Sequence, residues 1–285
     1  MSRYVTRLGF NIPHRGARRP DPPFTMNRDS WQSFGLTHWW PLAEPGDARD
    51  YAGVFDLEKS GPAAFIVGGD PEFHRFADFL DANNDYFDRT VVEDSIGQPP
   101  FTIAAWTRYN AADNLPVVNI ADQSHAGTWQ ELALTSAGTL NMESNPASGS
   151  TRKGTASVNL VINTWGHVCG MVRTTANRSA YLDGGNRGDN TNSAPVTLLD
   201  NVTIGRRGDS SPSREYTGYI TDVRYYNRAL TDMEVAALAD KHSRWELYFP
   251  LNRRAFFFEG DAVPPTGGPI PVKQQSHRRR RAMFQ

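Results

Sequence analysis

The segment from Leu199 to Leu238 restricts the fold more than any other part of the chain. Residues 216–226 alternate with a period of two, as the residues of a strand do. The alternation predicts one face with Ile220, Asp222, Arg224 and Tyr226 and an opposite face with Tyr219, Thr221, Val223 and Tyr225. Thr231 and Glu234 then form a capping-box pattern before an apolar run, which predicts one short helix at the end of the domain.

Shorter strands are predicted between clusters of Gly, Asn, Ser and Asp. They are Phe101–Trp106, Pro116–Ala121, Trp129–Thr135, Thr139–Glu143, Ala156–Ile162, Thr164–Arg173 and Pro195–Ile204. Residues 178–184 indicate a hairpin that turns at Asp183 and Gly184. This spacing is typical of an antiparallel sandwich, and such sandwiches often use about 200–250 residues as one domain.

Four of these segments together resemble a known family. Phe101–Trp106, Trp165–Val168, Tyr181–Gly184 and Gly218–Leu230 occur in the order and spacing of laminin-G-like, concanavalin-A-like jelly-roll proteins. The resemblance covers roughly Leu36 to Leu238. It implies an all-β, antiparallel jelly-roll β-sandwich with one short C-terminal helix, and we expect extended N- and C-terminal arms on either side.

The predicted domains follow the changes in composition and charge. Residues 1–35 are rich in proline and arginine, which predicts an extended basic N-terminal arm. Residues 36–242 are predicted to form the jelly roll, and residues 243–285 an aromatic and basic C-terminal arm. Residues 1–30 and 261–285 each carry +4, so the net charge of −1 leaves −9 for the centre.

We expect the arms to bind partner proteins. The candidate contact residues are Arg3, Arg7, Arg15, Arg18, Arg19, Trp245, Phe249, Arg253, Arg254, Phe256, Phe257, Arg278, Arg279, Arg280 and Arg281. The arginine run could also contact nucleic acid, but it lacks interleaved aromatic residues and the centre is acidic. A protein partner is therefore the favoured interpretation.

Membrane insertion and secretion are not indicated. No run of about 18 apolar residues is present, and residues 1–30 lack the apolar region of a secretory signal. Cys169 is the only cysteine and lies in a predicted strand, so we expect a core side chain rather than a nucleophile.

The sequence predicts no catalytic site. A retaining glycosidase needs two neighbouring carboxylates, and neither Glu131 nor Glu143 has an acidic partner two or four residues away on its own strand. Nucleotide-binding, zinc-protease and serine-hydrolase motifs are missing, and His167 is expected to be a packed, hydrogen-bonded residue rather than a base.

Calcium is the one cofactor that remains open, because many laminin-G-like domains hold an ion at a sandwich rim. The candidate ligands are Asp81, Asn83, Asp85 and Asp122, which supply hard oxygens. The alternative is that these residues simply form turns.

The ends of the predicted domain resemble laminin-G-like proteins of tailed bacteriophages, at Gly35–Leu42 and Trp245–Phe258. This resemblance implies a virion structural protein: a capsid decoration or cement protein, assembled in the host cytoplasm, that binds the major capsid protein and copies of itself through its arms. The alternative is a tail-fibre or baseplate module that binds a host-surface glycan. A polysaccharide-degrading enzyme is the third hypothesis.

Overall fold

The computed structural model describes residues 19–250 apart from residues 45–47, 62–63, 68–69, 71, 81–83, 91–95, 112, 148 and 212–213. Within this part of the chain, a short 3-10 helix spans Trp31–Ser33 and helix α1 spans Asp232–Ala239. The strands are β1 (Phe24–Met26), β2 (Leu36–Trp40), β3 (Glu58–Ser60), β4 (Ala64–Val67), β5 (Arg75–Phe79), β6 (Tyr86–Thr90), β7 (Phe101–Tyr109), β8 (Leu115–Ala121), β9 (Trp129–Leu134), β10 (Thr139–Asn145), β11 (Arg152–Asn159), β12 (Gly166–Thr174), β13 (Asn177–Leu182), β14 (Gly185–Asn190), β15 (Asn201–Ile204), β16 (Gly218–Tyr226) and β17 (Tyr248–Pro250).

Two antiparallel sheets form the sandwich. The seven-stranded sheet has the order β11-β10-β9-β8-β15-β6-β3. The eight-stranded sheet has the order β14-β13-β12-β7-β16-β5-β4, with β2 also paired to β16. A separate small sheet joins β1 to β17. The prediction of an all-β sandwich with one short C-terminal helix is confirmed for the described residues.

The main core lies between the two large sheets because alternate residues of each strand point inward. Its members include Ile103 of β7, Ile120 of β8, Leu132 of β9 and Val202 of β15, all of them buried. The strand predicted at residues 156–162 is displaced in the structure, where β11 spans Arg152–Asn159 and pairs with β10. The exposed apolar residues Val161 and Ile162 follow β11 in a loop.

A second core covers the outer face of the eight-stranded sheet. Outward-pointing residues such as Trp106 and Met171 pack against Val235 and Leu238 of α1 and against Trp245. This sheet is therefore buried on both faces. Cys169 lies here with no exposed surface, as predicted for a core side chain.

Strand β16 contains a bulge that changes the predicted faces. Asp222 has a φ of 55°, and the register of β16 with β7 shifts between Thr221 and Arg224. Ile220 and Val223 consequently both point into the main core, whereas Asp222 and Arg224 face the second core. The predicted grouping of Ile220 with Asp222 and Arg224 was wrong, because an extra residue at a bulge reverses the alternation that follows it.

Two local predictions are confirmed. The turn between β13 and β14 places Asp183 at a φ of 52° and Gly184 at 75°, as a type I′ hairpin turn requires. At the start of α1, the Thr231 hydroxyl accepts from the Glu234 amide, and the Glu234 carboxylate accepts from the Thr231 amide.

The two segments that were predicted as arms are partly integrated into the sandwich. Within residues 1–35, β1 pairs with β17, and the Arg19 guanidinium donates to the Pro41 carbonyl oxygen at 3.2 Å. Trp245, which was predicted to bind a partner, is instead 1% exposed in the second core. No helix of the described residues is long and apolar enough to cross a membrane.

Candidate functional site

The outer face of the seven-stranded sheet is polar, in contrast to the apolar outer face of the other sheet. Because Ile120, Leu132 and Val202 point inward, their neighbours on the same strands point outward. We call this surface the polar face. Its residues are Tyr86, Asp88, Asn119, Trp129, Glu131, Asn141, Glu143, Asn201 and Thr203.

A short segment after β15 crosses the polar face. This segment, Arg206–Asp209, is called the strap. The Gly208 amide donates to Oδ1 of Asn119 at 3.0 Å, and Nδ2 of Asn201 donates to the Gly208 carbonyl oxygen at 3.1 Å. The Thr203 hydroxyl donates to the Arg206 carbonyl oxygen at 2.6 Å. The strap is therefore bonded directly to β8 and β15.

Two consecutive arginines of the strap lie over aromatic rings of the polar face. The Arg206 guanidinium is 4.3 Å from the centre of the Tyr86 ring, and that of Arg207 is 4.0 Å from the centre of the Trp129 ring. Such cation–π contacts are favourable, more so where the cation is desolvated. Trp129 is almost fully covered, at 3% exposure, whereas Tyr86 remains half-buried.

Glu131 and Glu143 lie directly opposite each other on β9 and β10. Glu131 accepts two hydrogen bonds from Arg207, at 2.7 and 3.0 Å, and Glu143 pairs with Lys153 at 2.8 Å. Burial raises the pKa of Glu131; Arg207 opposes this shift and Glu143 adds to it. Neither carboxylate has an acidic partner on its own strand, as the sequence shows; the pair forms across two strands, which a search along single strands does not detect.

A cleft of about 280 Å³ opens beside the strap. Tyr86, Asp88, Asn201 and Thr203 form its floor on β6 and β15. Its walls are the strap, Ser210 and Gln123 of the β8–β9 loop. Gln123 accepts a hydrogen bond from the Thr90 hydroxyl at 3.1 Å, which joins this loop to the end of β6.

Asp88 is the most distinctive group in the cleft. It is half-buried, and its carboxylate accepts no hydrogen bond from any described residue. Burial raises the pKa of Asp88, Arg206 opposes that shift, and Glu58 adds to it. Oδ1 of Asn201 is buried and also has no partner among the described residues. The cleft therefore offers one carboxylate without a described hydrogen-bond partner, beside an aromatic ring and a guanidinium.

Two of the four predicted calcium ligands, Asp85 and Asp122, belong to the described structure. Asp81 and Asn83 lie outside the described residues, and Asp85 accepts from the Leu80 amide at 3.1 Å. Asp122 accepts from the amide and hydroxyl of Ser124 and contacts His125 at 2.7 Å. Burial alone would raise the pKa of Asp122, but these hydrogen bonds outweigh it and lower the pKa. Asp122 thus forms a turn, and the described residues contain no group of three His, Cys, Asp or Glu suited to a metal.

Most of the predicted partner-binding residues lie outside the described part of the chain. These are Arg3, Arg7, Arg15, Arg18, Arg253, Arg254, Phe256, Phe257 and Arg278 to Arg281. Their role in partner contact stays a prediction. Phe249 is described; it is half-buried in β17 and pairs with Thr25 of β1.

His167 is packed as the sequence predicts, but its buried Nδ1 atom has no hydrogen-bond partner among the described residues, in contrast to the predicted hydrogen bonding. It is 2% exposed in β12, and its ring meets that of Trp106 at 5.3 Å in a T-shaped contact. Burial, assisted by Arg224, lowers the pKa of His167 to about 3, so the ring is neutral near pH 7.

A comparison with protein-family models shows the family to which the chain belongs. The model of the concanavalin A-like lectin/glucanases superfamily matches residues 81–236. The chain belongs to this superfamily. The match covers β6 to the start of α1 and includes every residue that forms the floor of the cleft. A comparison with curated protein sequences gave no match.

Several solved structures share the superfamily fold. Domain 4 of AbnA, an extracellular arabinanase of Geobacillus stearothermophilus, was solved in complex with arabinotriose; it is 18% identical with a TM-score of 0.58, over 72% of this chain and 98% of that one. The binding domain of Paraclostridial Mosquitocidal Protein 1 is 19% identical with a TM-score of 0.55, over 73% and 52%. The binding domain of botulinum neurotoxin DC, in complex with SialylT, is 12% identical with a TM-score of 0.54, over 73% and 51%. At these identities the likeness concerns the fold alone.

Proposed function

We propose that this domain binds carbohydrate in the cleft beside the strap. The observation that carries the proposal is the Asp88 carboxylate, which is half-buried and accepts no hydrogen bond within the described structure. Partial burial removes some of the water from this charged group, and ligand donors can replace the lost hydrogen bonds to water. Sugar hydroxyls are such donors, and a carboxylate can accept two of them at once.

The rest of the cleft suits a sugar as well. Tyr86 offers part of an aromatic ring, and Arg206 supplies hydrogen-bond donors. Asp88 and Asp209 outnumber the single arginine among the charged residues that line the cleft. This balance favours a neutral sugar over an acidic one, because a ligand carboxylate would meet two like charges.

The superfamily and one neighbour support this function. The superfamily is that of lectins and glucanases, and the structure of AbnA domain 4 holds arabinotriose. Within the proposal the domain binds sugar and does not cleave it. The support is that both neighbouring carboxylates are already engaged, Glu131 by Arg207 and Glu143 by Lys153, whereas a glycosidase needs both groups at the scissile bond.

A neutral-glycan array followed by titration calorimetry tests this function. Asp88→Asn keeps the shape of the side chain but removes its charge, and it should weaken binding at least about tenfold, since hydrogen bonds to charged groups contribute roughly 1.5–3 kcal/mol. Asp113→Asn is the matched control, because Asp113 is exposed before β8, at the opposite end of that strand from Gln123. Absence of binding to every glycan, or equal effects of the two variants, would refute the proposal.

For the biological setting, we propose a phage particle, on the sequence resemblance alone. A glycan-binding module fits a tail fibre or baseplate that recognises a host surface. Capsid decoration depends on arm residues outside the described part and stays a prediction. Quantitative protein stoichiometry of purified particles separates these roles: a ratio to the shell protein near one or a simple fraction supports decoration, and a much lower ratio supports a fibre.

A further inference from the structure

The strap lies against the sheet without a gap. A Cβ atom added to Gly208 would stand 2.6 Å from Cγ2 of Thr203 and 2.7 Å from Nδ2 of Asn201, closer than van der Waals contact allows. Nothing the size of a sugar ring can therefore pass between the strap and β15.

The strap is also firmly held. Arg207 and Glu131 form a buried bidentate pair, and Oδ2 of Asp209 accepts from the Gly127 amide at 2.9 Å. Removing one partner of such a pair would leave an uncompensated buried charge, which opposes opening of the strap. The Trp129 ring beneath Arg207 is thus closed to a ligand in this conformation.

Among the described residues, the strap bounds the cleft on one side and Gln123 of the β8–β9 loop bounds it at one end. The strap separates it from β8 and β9, and the hydrogen bond between Thr90 and Gln123 joins β6 to the β8–β9 loop. Its volume of 280 Å³ lies near the lower limit of ligand pockets, about 300 Å³. On the side of β6 away from the strap lies β3, the last strand of that sheet.

From this geometry we propose that the site binds the terminal residue of a glycan and excludes residues inside a chain. The strap is the specificity determinant, because a chain that continued across the polar face would collide with it. This inference rests on the carbohydrate-binding function proposed above and assigns the ligand class as the ends of neutral glycan chains.

The test uses the full-length protein and an array on which each neutral sugar is printed twice, once as the terminal residue and once inside a chain capped by a different sugar. We expect terminal display to bind at least about tenfold more tightly than interior display. Equal binding of the two displays would overturn the inference and leave the carbohydrate function intact. Failure of every glycan to bind would instead reject the function itself.

A strap variant supplies the second measurement. Arg207→Ala combined with Glu131→Gln removes the buried pair together and uncovers Trp129 without leaving a lone charge. If this variant keeps the wild-type circular dichroism spectrum, its preference for terminal over interior sugars should fall at least about threefold. A folded variant with an unchanged preference would overturn the role of the Arg207 side chain and assign the barrier to the strap backbone, which Asn119 and Asn201 still hold; the wild-type array decides the inference if the variant does not fold.

Discussion

Some buried side chains of this protein form hydrogen bonds or ion pairs with several residues at once, and Asp222 is the clearest case. Its Oδ1 atom accepts from Nε1 of Trp39 at 2.8 Å and from the Tyr248 hydroxyl at 2.9 Å, and its Oδ2 atom pairs with Arg224 at 2.7 Å. Arg224 in turn donates to Gln32 and to the Arg244 carbonyl oxygen. One buried carboxylate thus ties β2, β16 and β17 together.

Glu234 gives a testable dependence of stability on pH. Hydrogen bonds from Arg228, assisted by those from Thr231, lower the pKa of Glu234 from 4.5 to about 2. A lowered pKa means that the ionised form stabilises the fold above pH 4.5, and that this contribution is lost as the pH falls from 4.5 towards 2. Glu234→Gln keeps the hydrogen bond to the Thr231 amide but removes the charge paired with Arg228, so it should lower the free energy of unfolding at pH 7 by about 1 kcal/mol.

Urea unfolding of wild type and Glu234→Gln at pH 7 and near pH 2.5 measures this effect. The difference between the two proteins should shrink at the lower pH. Glu44→Gln is the control, because within the described residues the ion pair of Glu44 is a 3.8 Å contact with the exposed Arg49. A difference that is the same at both pH values would contradict the assigned pKa.

At the scale of elements, short N- and C-terminal segments complete the second core. Phe24 of β1 is 4% exposed, and its ring meets that of Tyr248 in β17 at 4.7 Å in a T-shaped contact. The side chains of Phe24 and Met26 fall on the same face of β1, as a period of two requires. An element of three residues therefore covers part of the eight-stranded sheet.

Deletion of β1 tests this packing. Removing residues 1–30 takes away Phe24, Met26 and the buried Arg19, and should cost about 3 kcal/mol or more at roughly 1.5–3 kcal/mol for each buried apolar side chain. Removing residues 1–18 is the control, since it keeps every described contact. Thermal unfolding should show a clearly lower midpoint for the longer deletion only. Equal midpoints would mean that β1 adds no stability, as expected of a detached arm.

At the scale of the whole molecule, the two large sheets have different roles. The eight-stranded sheet lies between the main core and the second core, whereas the seven-stranded sheet carries the polar face, the strap and the cleft. The eight-stranded sheet is buried on both faces and therefore suits a structural role. The seven-stranded sheet exposes polar groups that can bind a ligand.

Hydrogen exchange should reveal this division. The amides of β7 and β12 lie at the centre of the sheet that is buried on both faces, so we expect them to exchange most slowly, near the rate set by global unfolding. The amides of β3, an exposed terminal strand of the other sheet, should exchange much faster. Similar protection of β3 and β7, measured by mass spectrometry of peptic fragments, would contradict the assignment.

The sequence by itself determined the features that depend on neighbours along the chain. The capping box at Thr231, the turn at Asp183 and Gly184, and most strands follow from local patterns, because caps and turns require particular side chains at fixed offsets. Only the tertiary structure decided the bulge at Asp222, the pair of Glu131 and Glu143, and the strap over Trp129. These depend on which strands lie side by side, and a two-residue period specifies a residue's face but not the strand beside it.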